Sequence, residues 1–232
     1  MAVSPPKLYA WKLRPRPYSN TKAPVAYKQV IDAKTADWHY NKHQKGYVDA
    51  LNKIEKGLRN LGTKKGNGNY SEYGELKRRL PWNHSGALLH DVYWNSFGYE
   101  ESKPTRNPKS NLMQQITEDF GSFTQWKKDF INTALSAKLS GWAVLVFDSM
   151  YSGKLMNVLV DEHQNGAIWG GIPVIALDMF EHSYYHRNGP NREAYIANFM
   201  DSINWPRVEG YYNRVVMPVQ RAKLASYFNS IR

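Results

Sequence analysis

Between Ala33 and Leu139 the apolar residues of this chain fall in segments of helical spacing separated by a loop and a linker, and just beyond Leu139 the period changes. WAVLVFDSM, KLMNVLVDE and IPVIALD are short runs rich in Val, Leu and Ile, which is the pattern of strands. Such a change of period confines the chain to a fold that segregates helices from a small sheet, an α+β arrangement. Tyr-Ser-Gly separates the first two runs and is hairpin chemistry, so a small, three-stranded antiparallel sheet is expected.

Residues 1–30 are rich in Pro, Lys and Tyr and read as extended. A first helix is expected from Ala33 to about Leu61, where Trp38, Tyr47, Val48, Leu51, Ile54 and Leu58 mark one face and Gly62 offers a stop. GTKKGNGNYSEYG reads as a loop, and a second helix from about His84 to Ser96 completes an antiparallel helical hairpin. Gly98 to Ser110, with two prolines, reads as a linker. The expected division is therefore residues 1–103, an N-terminal extension with the hairpin, and residues 104–232, a C-terminal α/β domain with a C-terminal extension. Helices over Leu112 to Phe120 and Phe123 to Leu139, the second capped by Ser122, should precede the strands. EHSYYHRN, REAYIANFMDSI and PRVEGYYNRVV return to helix. The tail VMPVQRAKLASYFNSIR has helical spacing that suits binding a partner.

The chain contains no cysteine, which removes thiolate zinc sites, iron-sulfur clusters and cysteine nucleophiles from consideration. Its 31 Lys and Arg outnumber 20 Asp and Glu, giving a net charge of +11 that favours an anionic partner. The basic residues come in short dispersed groups, KLRPR, Lys64 with Lys65, Lys77 to Arg79, and Arg221 with Lys223, with no recognisable reading motif. That distribution argues against nucleic acid and suits a field drawing in a small anion. No apolar run approaches the roughly 20 residues that span a bilayer. A cytoplasmic protein is expected, with an organellar setting after removal of a basic presequence as the alternative.

Four residues in three stretches could close around one ion: His39 in DWHYNKHQKGY, His90 in LLHDVYW, and Asp178 with His182 in ALDMFEH. Three imidazoles and one carboxylate suit a first-row transition metal and disfavour calcium or magnesium. A single helical histidine is more often a hydrogen-bonded core residue than a ligand, and His39, His43 and Tyr47 simply share one helix face at i, i+4 and i+8. Asp178 is more telling. It follows an apolar strand, where a carboxylate is costly unless paired or coordinated, and His182 lies within one helical turn of it.

DWHYNKHQKGYVDAL, HDVYW, DFGSFTQWKKDF, SGWAVLVFD, LDMFEHSYYHRN and AYIANFMDSINW together resemble the iron/manganese superoxide dismutase family, in the family's order and spacing, from Leu13 to Val215. The resemblance implies a helical hairpin and an α/β domain holding one Fe or Mn ion per subunit between them. It implies conversion of superoxide to oxygen and hydrogen peroxide by alternating one-electron reduction and oxidation. The ligands would be His39, His90, Asp178 and His182. Tyr47 would be the gateway tyrosine and His43 its companion in the access funnel. Glu181 would reach across a homodimer or homotetramer interface to support the second copy's His182, Tyr185 would reach toward its His43, and Trp142 and Trp94 would wall the site.

Several positions depart from the family's commonest pattern. The family places a donor to the metal's solvent ligand either four residues before the second histidine, which here is Gly86, or on the C-terminal domain's sheet, which here falls in VDEHQNG. His163 is the expected donor, as in histidine-type members resembling the archaeal ones, with Gln164 as the alternative. Phe180 stands where Trp is usual, and Gln44 stands for the second of a histidine pair. The histidine-type donor and Ala176 favour iron over manganese. Two competing readings remain: an inactive dismutase-like structural subunit of a larger assembly, and a mononuclear hydrolase for which Glu181 would have to be the base.

Overall fold

The computed structural model describes residues 9–17, 29–62, 66–98, 105–222 and 230. The expected boundary between residues 103 and 104 lies outside the described residues, as do Lys64, Lys65, Lys223 and most of the C-terminal tail.

Helix α1 (Ala33–Trp38) starts at Asp32, whose carboxylate accepts from the Thr35 backbone N–H at 2.9 Å and the Thr35 hydroxyl at 2.8 Å. It runs through a π-helical turn, His39–Gln44, into α2 (Lys45–Leu61), which stops where Gly62 takes a positive φ of 55°. The single helix expected from Ala33 to Leu61 is therefore present, with an unforeseen widening at the first candidate ligand.

The second arm, α3 (Glu72–Ser96), starts a full three turns before the expected His84. Ser71 caps it by accepting the Gly74 N–H at 3.0 Å, and Glu72 and Glu75 lie in its first turn, where the helix dipole favours acids. Pro81 sits inside the helix and the segment before it is polar, so the run carries a breaker and no apolar stripe. Cap chemistry was the better guide here than periodicity. At the other end Arg207 donates to the Trp94, Phe97 and Gly98 carbonyls at 3.0–3.2 Å, stapling the C-terminal helices to the hairpin.

Helices α4 (Asn111–Phe120) and α5 (Phe123–Ser136) follow, and Ser122 caps α5 as expected; α5 ends before the expected Leu139. Strands β1 (Gly141–Asp148), β2 (Leu155–Asp161) and β3 (Gly171–Asp178) form one antiparallel sheet in the order β2-β1-β3. The β1–β2 turn is closed by the Asp148 carboxylate, which accepts the backbone N–H groups of Met150, Tyr151 and Ser152. All eight β1 residues are buried, as a central strand covered on both faces requires. Val158 and Val160 face Leu88 and Leu89 of α3, while the preceding Asn157, on the other face of the strand, accepts the Trp126 indole N–H of α5 at 3.1 Å. Trp126, Phe130 and Trp142 are fully buried, each contributing roughly 1.5–3 kcal/mol or more by burial.

The chain closes with α6 (Glu181–Asn188), α7 (Arg192–Asp201), α8 (Trp205–Tyr211), a second π-helical turn and α9 (Met217–Arg221). The whole is an N-terminal helical hairpin beside an α/β unit with a three-stranded antiparallel sheet. Among the described residues no helix is long and apolar enough to cross a membrane.

Asp32 also meets His186 of α6 at 3.0 Å. Burial works to raise its pKa, but the bonds from Thr35 and the contact with His186 win and bring it down to about 2. A carboxyl depressed on folding stabilises above its unfolded value near 3.9 and loses that contribution as pH falls toward its folded value. Asp32→Ala should therefore lower stability by about 1–2 kcal/mol at neutral pH. The deficit should shrink between roughly pH 4 and pH 2, read by denaturant titration across that range.

Candidate metal centre

The register of the sheet aims the centre. Trp142 at the start of β1 pairs with Asp178 at the end of β3, so the carboxylate emerges where the sheet meets the hairpin. The Phe180 backbone N–H holds Asp178 Oδ1 at 2.8 Å, turning Oδ2 toward three imidazoles. His39 Nε2 lies 2.8 Å from Oδ2, His182 Nε2 3.6 Å and His90 Nε2 3.8 Å. One ligand atom from each of the four residues falls within 4.8 Å of all the others. His39 comes from the π-helical turn, His90 from α3, and Asp178 and His182 from the β3–α6 junction. Ser96, one and a half turns beyond His90, accepts the Ala176 N–H at 3.2 Å and ties that helix to the strand carrying Asp178.

For His39, His90 and Asp178 the protonation states are the ones a metal needs. Burial pushes the His39 and His90 pKa values down, so both rings are neutral. Burial opposes the charge on Asp178, but contacts from His182 and His39 outweigh it and hold the carboxyl well below its ordinary value. His90 donates from Nδ1 to the Gly86 carbonyl at 2.6 Å, which leaves Nε2 as a lone pair facing the centre. That nitrogen and His182 Nε2 are buried without a hydrogen-bond partner. Orphaned lone pairs converging on a buried carboxylate are what a resident cation would satisfy, so the donor set fits one first-row transition-metal ion.

Around these four, Trp142 donates its indole N–H to His163 Nδ1 at 3.1 Å, and His163 Nε2 lies 2.8 Å from the Tyr47 hydroxyl. A neutral imidazole that accepts at Nδ1 carries its proton on Nε2, so His163 donates to Tyr47. Burial, and then the Asp178 charge, push the Tyr47 pKa upward, keeping its hydroxyl protonated. Burial brings the His163 pKa down to about 4, and so keeps its ring neutral. His43 stacks flat on His182, with centroids 4.0 Å apart. Trp94 and Trp142 are fully buried against His39 and His90 respectively. Gln164 donates its amide N–H to the Glu162 carboxylate at 3.5 Å. Glu181 and Tyr185 are exposed on α6, beside the half-covered His182.

Sequence reasoning missed Trp82, which packs edge-on to His163 at 4.6 Å, and the stacking role of Phe180 on the same ring at 4.7 Å and 12°. Trp82, Gly86 and His90 lie at i, i+4 and i+8, the same signal that grouped His39, His43 and Tyr47. The hydrogen bonds joining Gln44 to Asp91 and Trp94 were also missed; no spacing along the sequence announces them.

A helical hairpin and an α/β unit closing on three histidines and an aspartate define a class of mononuclear metalloproteins. Two family models narrow it: residues 11–98 match the α-hairpin domain of the iron/manganese superoxide dismutases, and residues 108–211 match their C-terminal domain. The chain is 35% identical over 207 residues to superoxide dismutase [Mn] 2 of Haloferax volcanii, covering 89% of this chain and 98% of that protein. It is 35% identical to superoxide dismutase [Mn] 1 of Halobacterium salinarum over 84% of this chain and 91% of that protein. To the probable superoxide dismutase [Fe] of Bacillus subtilis it is 32% identical over 74% of this chain and 58% of that protein. The chain belongs to the iron/manganese superoxide dismutase family.

Gly86 lets Tyr47 into place, since a Cβ there would lie 3.0 Å from two atoms of the Tyr47 ring. Gly86→Ala should push that ring off His163, costing about 1–3 kcal/mol as an overpacked contact. A melting curve and a crystal structure of the variant check the loss of stability and the lengthened Tyr47–His163 bond.

Proposed function

We propose that the centre holds one iron or manganese ion through His39, His90, Asp178 and His182 and converts superoxide to oxygen and hydrogen peroxide. The convergence of those four ligand atoms within 4.8 Å, at the junction of the two family domains, carries the proposal. When bound, the ion supplies the one-electron exchange: one superoxide gives up an electron and leaves as oxygen, and a second takes it up and leaves, with two protons, as hydrogen peroxide. The names of the two archaeal relatives give manganese and that of the bacterial one gives iron, while the histidine donor and Ala176 favour iron.

The chain's own residues bind, exclude and donate. Trp94, Trp142, Tyr93 and Phe180 surround the ligands with rings, which keeps bulk water from the centre and strengthens every charge interaction inside it. His43, stacked on His182, and Tyr47 line the approach. The His163 Nε2 proton is committed to Tyr47, so the Tyr47 hydroxyl hydrogen is free to turn toward the four ligand residues. Both His163 nitrogens are thereby engaged, so the group left to donate toward the centre is the Tyr47 hydroxyl, and His163 favours one protonation state there by orienting it rather than by donating from its own ring. The +11 net charge draws in the anionic substrate, an effect that salt screens.

Glu181 and Tyr185 stand exposed where α6 passes the half-covered His182, and we assign this face to a second copy of the chain in a homodimer or homotetramer. Residues 1–103 and 104–232 form the two domains, and a cytoplasmic setting belongs to the same proposal.

Purified protein should carry close to one ion per chain by mass spectrometry, and stripping then reloading with iron or manganese should abolish and restore dismutation. A well-folded chain that neither holds metal nor gains activity would shift the reading to a structural subunit. His163→Ala should lower turnover or metal affinity by about 10–100-fold, the usual effect of removing an outer hydrogen-bond partner. Unaltered turnover and metal preference would remove His163 from this role.

A further inference from the structure

Gln44 is 1% exposed at the end of the π-helical turn, where the family resemblance places a histidine. Its amide nitrogen donates to Asp91 Oδ1 at 2.7 Å, and its oxygen accepts the Trp94 indole N–H at 2.8 Å. The two partners fix the amide's orientation, because the flipped form would set nitrogen against indole N–H and oxygen against carboxylate. Asp91 follows His90 in the chain, and the Trp94 ring packs edge-on to His39 with centroids 5.1 Å apart.

The chain of contacts continues outward to the N-terminal arm. Asp91 Oδ2 meets Arg14 Nη1 at 3.3 Å, and the Arg14 carbonyl accepts the Tyr40 hydroxyl at 2.9 Å. Arg16 lies over the Trp94 ring at 5.5 Å and the Tyr40 ring at 4.9 Å, and donates to the Ala36 carbonyl at 3.0 Å. A reciprocal pair anchors the arm: the Trp11 N–H donates to Asn52 Oδ1 at 2.9 Å, and Asn52 Nδ2 donates to the Trp11 carbonyl at 3.0 Å.

We propose that Arg14, Asp91 and Gln44 are positioning residues through which the N-terminal arm holds Trp94 against His39 and sets the reduction potential of the metal centre. The inference rests on the dismutase reading. A mostly buried carboxylate beside His90 favours the more highly charged state of the ion and so lowers the potential, while the Arg14 cation opposes it. Asp91 is 21% exposed and Arg14 71%, so solvent screens the arginine more and its effect is the smaller.

Charge sign separates this role from a purely structural one. Redox titration of the metal-loaded protein should give a higher potential for Asp91→Asn, a lower one with a smaller shift for Arg14→Met, and a value between wild type and Asp91→Asn for the double variant. Potentials that do not move, or that move the same way in both single variants, overturn the inference. Arg14→Met alters an exposed side chain, so its downward shift alone decides the matter if Asp91→Asn does not fold. A wild-type protein without a redox-active ion overturns the dismutase reading and this inference together. A redox-active wild type whose Arg14→Met variant shares its potential overturns this inference alone.

Discussion

The Asp178 carboxylate is the fixed point of this molecule. It is fully buried at the end of an apolar strand, and an isolated charge there costs several kcal/mol even after the protein relaxes. The three converging imidazoles and the Phe180 backbone N–H, with the cation that the imidazoles imply, offset that cost. The rest of the architecture serves to bring them there. The β1–β3 register turns the carboxylate out of the sheet, the Ala176–Ser96 bond ties α3 to the strand, and the widened helical turn carries His39 in from the far arm.

Around that point the structure controls protons by hydrogen-bond direction more than by charge. Tryptophan can only donate, so Trp142 makes His163 accept at one nitrogen and therefore donate at the other. Tyr47 accepts that hydrogen bond and keeps its own proton, because burial beside a negative carboxylate makes a phenolate still less favourable. One indole N–H at the start of β1 thus fixes the direction of a relay that ends on a helix of the other domain. Gly86 belongs to the same device, as its missing side chain is the space that the Tyr47 ring fills.

The fold was largely legible because amphipathic helices write their period, and buried strands their short Val, Leu and Ile runs, into the sequence; the sheet and the caps at Gly62 and Ser122 appear where expected. The start of α3 was hidden by Pro81 and a polar first half, where the helix is held by its cap and its packing instead of by an apolar face. The π-helical turn at His39 was invisible to a 3.6-residue template. Of the centre, residue types were visible but convergence was not: only Asp178 and His182 are neighbours in sequence, and the family resemblance supplied the rest. Side chains 47 residues apart, such as Gln44 and Asp91, meet for reasons that only packing reveals.

The ligands are divided two and two along the chain, His39 and His90 in the hairpin, Asp178 and His182 after the last strand. A growing polypeptide therefore displays a pair of neutral imidazoles long before it possesses the carboxylate. Two such ligands alone grip an ion weakly and with little choice among those the cell offers. Capture must wait until β3 has been made and laid against β1, so the centre fills only in a chain whose sheet has already formed.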